Sequence, residues 1–234
     1  MENQFTSKTL DYCNLGLIDY KKAWDLQHNV FAKRVDNKIN DTFFMLEHPN
    51  TYTLGKVASK DNLIGSEEYL KSKGISVYEI DRGGDITYHG PGQIVGYPII
   101  DLKNWKQDTH LYLRNLEEVI IQVCNNYGLI AGRKKEYTGV WIGEKKICAI
   151  GIKISRWVTM HGFAFNVNTD LKLFDGIVPC GIKDKEVTSL SKELNRNLDI
   201  EEVKRKILEK FIKMFEYNEF NITNPDVYNL ENNN

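Results

Sequence analysis

Apolar side chains recur along this chain with two different periods. Over residues 110–127, Leu111, Leu113, Leu116, Val119, Ile120 and Val123 fall three or four positions apart. That is the period of a helix with one buried side, and Gly128 stands where such a helix would stop. Tyr20, Ala23, Trp24, Leu26, Val30 and Phe31 predict a helix over 18–36 in the same way. Val203, Ile207, Leu208, Phe211 and Ile212 predict another over 201–217, with Asp199 as N-cap. A short helix is predicted between Ser66, as cap, and Gly74, as terminator. The remaining apolar runs are shorter and rich in β-branched and aromatic residues. They predict strands at 8–15, 42–47, 75–81, 94–102, 138–142, 146–154 and 158–168, with a turn at His48-Pro49-Asn50. The pattern is that of one α+β domain over residues 1–234, a mixed or antiparallel sheet packed by helices. It holds no internal repeat and no Gly-, Ser- or Pro-rich linker, and the tail 231–234 reads as frayed.

Composition narrows the setting. A chain of 234 residues suits a single core, and a net charge of −1 gives no general attraction to nucleic acid or to an anionic membrane. No apolar run is long enough for a membrane span or a signal peptide. Cys13, Cys124, Cys148 and Cys180 lie far apart, without a metal or redox spacing, so free thiols in a reducing cytoplasm are expected. His89 and His161 stand at no metal-ligand spacing, and no metal is expected. A monomer is expected. Arg133-Lys134-Lys135 and Lys145-Lys146 are local basic clusters, either a solvated surface or a contact for an acidic protein.

The chemistry concentrates in residues 82–93, Arg-Gly-Gly-Asp-Ile-Thr-Tyr-His-Gly-Pro-Gly-Gln, between two predicted strands. Such a segment is either a tight turn or a loop that brings backbone N–H groups to a ligand. It matches neither a P-loop nor a dinucleotide fingerprint. Cys180, in Val178-Pro179-Cys180-Gly181, follows a fixed φ and precedes a free one, which would present a thiol from a loop; an idle cysteine is the plainer reading. Lys146 opens an apolar strand, where a lysine commonly extends to the surface. Beside a cysteine it would instead stabilise the thiolate.

Residues 82–93 followed by Gly96-Tyr97-Pro98-Ile99, with Lys146-Ile147-Cys148-Ala149-Ile150-Gly151, His161-Gly162-Phe163-Ala164-Phe165-Asn166-Val167-Asn168 and Pro179-Cys180-Gly181, resemble the lipoyl(octanoyl) transferases of lipoate biosynthesis. The resemblance spans roughly residues 40 to 190, in the family's order. It implies the fold of biotin- and lipoate-protein ligases. It implies Cys180 as acyl-accepting nucleophile and Lys146, rather than the adjacent Lys145, as its dyad partner. It implies a substrate site from Arg82, Gly83, Gly84, Asp85, Ile86, Thr87, Tyr88, His89, Ala149, Ile150, Gly151, Gly162, Phe163 and Ala164. The resemblance also puts His161 near this site, and one of Asn166 and Asn168 is expected to pin a loop. The implied partners are octanoyl-acyl carrier protein and the lipoyl domains of 2-oxoacid dehydrogenases and of the glycine-cleavage H protein. No cofactor is implied. An ATP-dependent lipoate or biotin ligase on the same fold is the alternative, and it needs no covalent cysteine.

Overall fold

Capping residues explain where the helices begin. Asp19, Asp108 and Asp199 each accept a backbone N–H from the first turn of the helix that follows, and Ser66 does the same for the short one. The computed structural model describes residues 8–178 and 186–228. Its helices are α1 (Tyr20–Val35), α2 (Glu67–Ser72), α3 (Thr109–Asn126), α4 (Leu190–Leu194) and α5 (Ile200–Met214). Its strands are β1 (Thr9–Leu17), β2 (Asp41–Glu47), β3 (Thr51–Leu54), β4 (Ser76–Glu79), β5 (Ile86–His89), β6 (Gln93–Ile99), β7 (Gly132–Lys134), β8 (Tyr137–Ile142), β9 (Lys145–Ser155), β10 (Val158–Asn166) and β11 (Glu219–Ile222). None of the helices among the described residues is long and apolar enough to cross a membrane.

Eight strands form one mixed sheet in the order β11-β1-β2-β6-β10-β9-β8-β7; β1 is parallel to both β2 and β11, and the other pairings are antiparallel. Alternation along the central strands sends side chains to both faces, and both are buried. Phe43, Met45, Ile94, Phe163 and Phe165 pack beneath α3 and α5, with Phe43 stacked on Phe211 at 4.3 Å between centroids. Phe44, Leu46, Val95, Tyr97 and Ala164 face the other way, against Ala23 and Val30 of α1. Helix α1 covers only part of that second face. A small sheet, β4-β3-β5, stands over the remainder with its own cluster of Tyr52, Leu54, Ile86, Tyr88 and Phe174. The gap between this small sheet and the large one is the cavity described below.

The segment 82–93 differs from the uninterrupted loop expected of it. It is a turn at Arg82–Asp85, the strand β5, and a second turn at Gly90–Gly92. Strand β5 pairs antiparallel with β3, a strand the apolar pattern left unassigned because it is only four residues long. The predicted strand 94–102 ends at Ile99, and Leu102–Asn104 is a 3-10 turn capped by Asp101.

Candidate active site

Small residues open the cavity. Ala149 lies opposite Ala164, and Gly151 opposite Gly162, across the β9–β10 ladder. With Val95 of β6 they form a shallow floor where larger side chains would fill the space. The roof is Arg82, Gly84 and Asp85, then Ile86, Thr87 and His89 of β5, with Phe174. The enclosed volume is about 440 Å³, within the range of small-molecule sites.

Backbone hydrogen bonds seat the roof. Gly83 N–H donates to Ile152 O on the part of β9 that β8 leaves unpaired, while Lys56 and Val57 N–H donate to Arg82 and Gly84 carbonyls. The Arg82 guanidinium donates to Thr53 O at 2.7 Å, Thr53 Oγ1 at 2.9 Å and Gly83 O at 3.0 Å. Gly151 makes this close seat possible, since a Cβ there would lie 2.7 Å from Gly83 O. The glycine-rich segment is therefore both a set of turns and one wall of a ligand space.

The histidines at the inner end are neutral. Gln93 Nε2 donates to the carbonyl of Tyr88 and to Asn166 Oδ1, so Gln93 Oε1 accepts from His89 Nδ1–H at 2.9 Å. The Nε2 of His89 then accepts from the Thr53 hydroxyl at 3.3 Å. Burial holds the His89 pKa well below its ordinary value. His48 donates from Nδ1 to Ile18 O and accepts from Tyr97 OH, both at 2.8 Å, and burial lowers its pKa to about 4. His161 donates from Nε2 to Asp81 Oδ1 at 2.9 Å, and burial outweighs that carboxylate in lowering its pKa. The His161 N–H and the Lys153 ammonium hold Asp81 well below the usual carboxylate range. His161 has φ +60°, unusual within a strand, and its backbone N–H is held by Gln27 Oε1 at 3.0 Å.

Lys146 reaches the cavity through a break in strand alternation. Val140 pairs with Cys148 and Trp141 with Lys146, so Ile147 is an extra residue on β9. Ile147 and Cys148 both pack into the core under α3, while Lys146 and Ala149 line the cavity. The Lys146 ammonium stands 4.8 Å from the centroid of the Trp141 ring. Lys145 instead sits 3.9 Å from Glu193 and is absent from the lining. Beside Lys146 runs the segment 186–188. Lys146 N–H donates to Glu186 O, Thr188 N–H donates to Lys146 O, both at 2.9 Å, and Val187 lines the cavity.

Of the expected site residues, Arg82, Gly84, Asp85, Ile86, Thr87 and His89 line the space from above; Lys146, Ala149, Ile150, Gly151, Gly162, Phe163 and Ala164 do so from the sheet. Gly83 and Tyr88 do not line it. Gly83 is spent on the anchor to β9, and Tyr88 packs between Tyr52 and Phe174 with its hydroxyl on Asn50 Oδ1. Alternation along β5 explains Tyr88, which points away from the face that carries Thr87 and His89. His161 and Asn166 are at the wall. Both asparagines pin backbone: Asn166 donates to Thr188 O, and Asn168 exchanges two hydrogen bonds with Leu198. Cys180 lies outside the described residues. Tyr20, Tyr97 and the Glu136–Thr138 lip were not anticipated, because nothing local distinguishes them from core or turn residues. The basic cluster is largely taken up within the chain: Arg133 pairs with Glu117 and Glu118, and Lys134 with Glu144.

Residues 19–212 match the model of the lipoyl protein ligase A/B catalytic domain. An octanoyltransferase of Christiangramia forsetii is 50% identical over 227 residues, covering 90% of this chain and 97% of that protein. One from Rubrobacter xylanophilus is 51% identical over 214 residues, covering 90% and 96%. Among solved structures, a putative lipoate protein ligase from T. acidophilum superposes with a TM-score of 0.72 at 16% identity, covering 92% of this chain and 88% of that one. A lipoate-protein ligase A bound with ATP gives 0.71 at 15% identity, covering 93% and 89%. The structural likeness carries the fold, as expected for the lipoate-ligase class, and the sequence likeness carries the branch. The chain belongs to the lipoyl protein ligase A/B catalytic-domain family and, within it, to the octanoyltransferases, which are acyl-transferring enzymes.

Proposed function

We propose that this enzyme takes the octanoyl group of octanoyl-acyl carrier protein onto Cys180 as a thioester and passes it to a lysine of lipoyl domains, those of 2-oxoacid dehydrogenase complexes and of the glycine-cleavage H protein. The observation that carries the reading is Lys146: an ammonium brought to an alkyl-sized cavity, with the chain that follows Cys180 hydrogen-bonded to its backbone from residue 186 onward. The other three thiols favour Cys180 by elimination. Cys13, Cys124 and Cys148 are buried, and burial pushes them up to about 11, up to about 12 and well above the ordinary thiol value.

In the first step the Cys180 thiolate attacks the donor thioester carbonyl, and Lys146 gives a proton to the departing phosphopantetheine thiol. One thioester replaces another, so the step is near neutral in free energy and uses no nucleotide. In the second step a neutral acceptor amine attacks the octanoyl-enzyme. Lys146, now neutral, takes the amine proton as the amide forms and Cys180 leaves as thiolate. The Ala149–Gly151 and Gly162–Ala164 floor suits an eight-carbon chain. We place the reaction in the cytoplasm, where a free nucleophilic thiol stays reduced.

Incubation with octanoyl-acyl carrier protein, without ATP, followed by intact mass measurement tests this. An octanoyl gain in the wild type that is absent from Cys180→Ala is expected. No gain, together with modification of a lipoyl domain once ATP and octanoate are supplied, would replace the transferase reading with that of an ATP-dependent ligase.

A further inference from the structure

The bulge that turns Lys146 toward the cavity has a partner across the sheet. Gly139 of β8 has φ +124°, and a Cβ there would lie 2.5 Å from Cys148 O and 3.5 Å from Lys146 Cε. At this point the two strands press together, and Ile147 is squeezed out of the pairing. The Gly139 N–H is turned out of the ladder. It donates to Glu117 Oε1 at 3.0 Å. Glu117 projects from α3 and is fully buried, a costly place for a carboxylate unless its oxygens are satisfied. Its Oε2 accepts from Arg114 Nη1 at 2.7 Å and from Arg133 Nε at 3.0 Å. The two arginines balance the charge, and Oε1 is left for Gly139.

We propose that Glu117 is a positioning residue for Lys146: by holding the Gly139 N–H it locks the bulge that presents Lys146, rather than Lys145, to the cavity. The proposal rests on the reading of Lys146 as the proton-handling group. Without the carboxylate, Gly139 N–H is a buried donor that seeks an acceptor on β9. Restoring regular pairing there removes the extra residue, and a slip of one position exchanges the faces of Lys145 and Lys146.

The experiment compares wild type, Glu117→Ala, Glu117→Gln, Arg133→Ala and Lys146→Ala. It reads kcat and KM for octanoyl transfer, thermal midpoint, and hydrogen exchange of the Gly139 amide by NMR. Glu117→Ala is expected to lower kcat by about 10- to 100-fold with KM nearly unchanged, the scale of a small misplacement of a reacting group. Its Gly139 amide should exchange at least about tenfold faster. Glu117→Gln keeps one acceptor oxygen and offers Arg114 and Arg133 none; held on the Gly139 N–H, that oxygen should keep exchange slow and most of kcat, at a lowered thermal midpoint. Arg133→Ala breaks an ion pair to the same carboxylate, and should lower the thermal midpoint while leaving kcat near wild type. A folded Glu117→Ala with wild-type kcat would overturn the proposal. So would Arg133→Ala losing kcat in step with its thermal midpoint, which would mean stability alone. Should Glu117→Ala fail to fold, Glu117→Gln decides: slow exchange with kcat lost, or fast exchange with kcat kept, each refutes the link. Full activity in Lys146→Ala would instead sink the role of Lys146, while Gly139 exchange would still report on the bulge.

Discussion

Two buried polar clusters stand in different parts of this molecule, and they are built on opposite principles. In the first, Asp41 at the start of β2 accepts from Arg34 Nε at 2.7 Å, from the Asp101 N–H at 2.8 Å and from the Tyr217 hydroxyl at 2.8 Å. It is ionic, and it ties α1, β2, the end of β6 and the chain after α5 together. The second, at the cavity, relies on neutral imidazoles. It holds a strained backbone at His161, and His161 Nδ1 and Gln27 Nε2 have no hydrogen-bond partner among the described residues. A cluster that only has to hold can use charge, because its geometry never changes and every charge is paired. The cavity wall instead sets neutral imidazoles beside the charged Arg82 and Lys146, and leaves His161 Nδ1 without a hydrogen-bond partner among the described residues.

The sharpest way to separate the two is to remove one residue from each. Lys146→Ala should lower turnover by about 10²- to 10⁴-fold, the usual contribution of a positioned acid–base group, with little change in thermal midpoint. Asp41→Ala should do the reverse. Arg34 loses its carboxylate at 2.7 Å and keeps Asp101 at 3.8 Å, so the cost is at most the about 3–5 kcal/mol of a broken buried pair, seen as a fall in denaturation midpoint, while turnover per folded molecule stays near wild type.

Acid should attack the cavity region selectively. The His48 pKa is lowered to about 4 in the folded protein against 6.5 ordinarily, and His89 and His161 are lowered as well. Between those values the unfolded chain binds protons that the folded chain refuses, so stability rises with pH and is lost as pH falls from about 6.5 toward 4. His48 alone contributes about 2–3 kcal/mol over that window. Urea midpoints at pH 7 and pH 5 measure the loss. Hydrogen exchange at pH 5 should show it around β5 and β10 before the Asp41 end; uniform loss would break the contrast.

Gly151→Ala should cost about 1–3 kcal/mol, since its Cβ meets the Gly83 carbonyl and the Arg82–Asp85 turn must lift. A calorimetric scan together with KM for the acyl donor would register both effects. The smallest change is expected at Lys21→Ala, which removes a half-exposed pair with Asp25 worth about 0.3–0.5 kcal/mol. A larger shift there would mean that surface charge matters more than either buried cluster suggests.

Much of this protein is legible in its residue order. The three long helices follow from apolar spacing, with Asp199 readable as a cap, and six strands of the large sheet follow from short β-branched and aromatic runs, because those signals are local; β7 and β11, of three and four residues, carry no such run and form only by pairing with β8 and β1. The glycine-rich segment, Lys146 and the small residues of β9 and β10 are singled out by a specific motif, and the fold brings them to one cavity. Local pattern could not place Tyr88, which lies within the four-residue strand β5 and is buried only once that strand pairs with β3. Nor could it show that the histidines are neutral, since their pKa values come from burial among residues distant in the chain. The choice between two adjacent lysines makes the division plainest. Counting back by twos from Ala149 and Gly151 selects Lys145 for the cavity, and the motif selects Lys146. In the structure Lys146 lines the cavity because Ile147 bulges, opposite Gly139, whose N–H is held by a carboxylate from a helix on the far face of the sheet. Which residues can form a strand is settled along the chain; which way a side chain points from it depends on what the neighbouring elements hold in place.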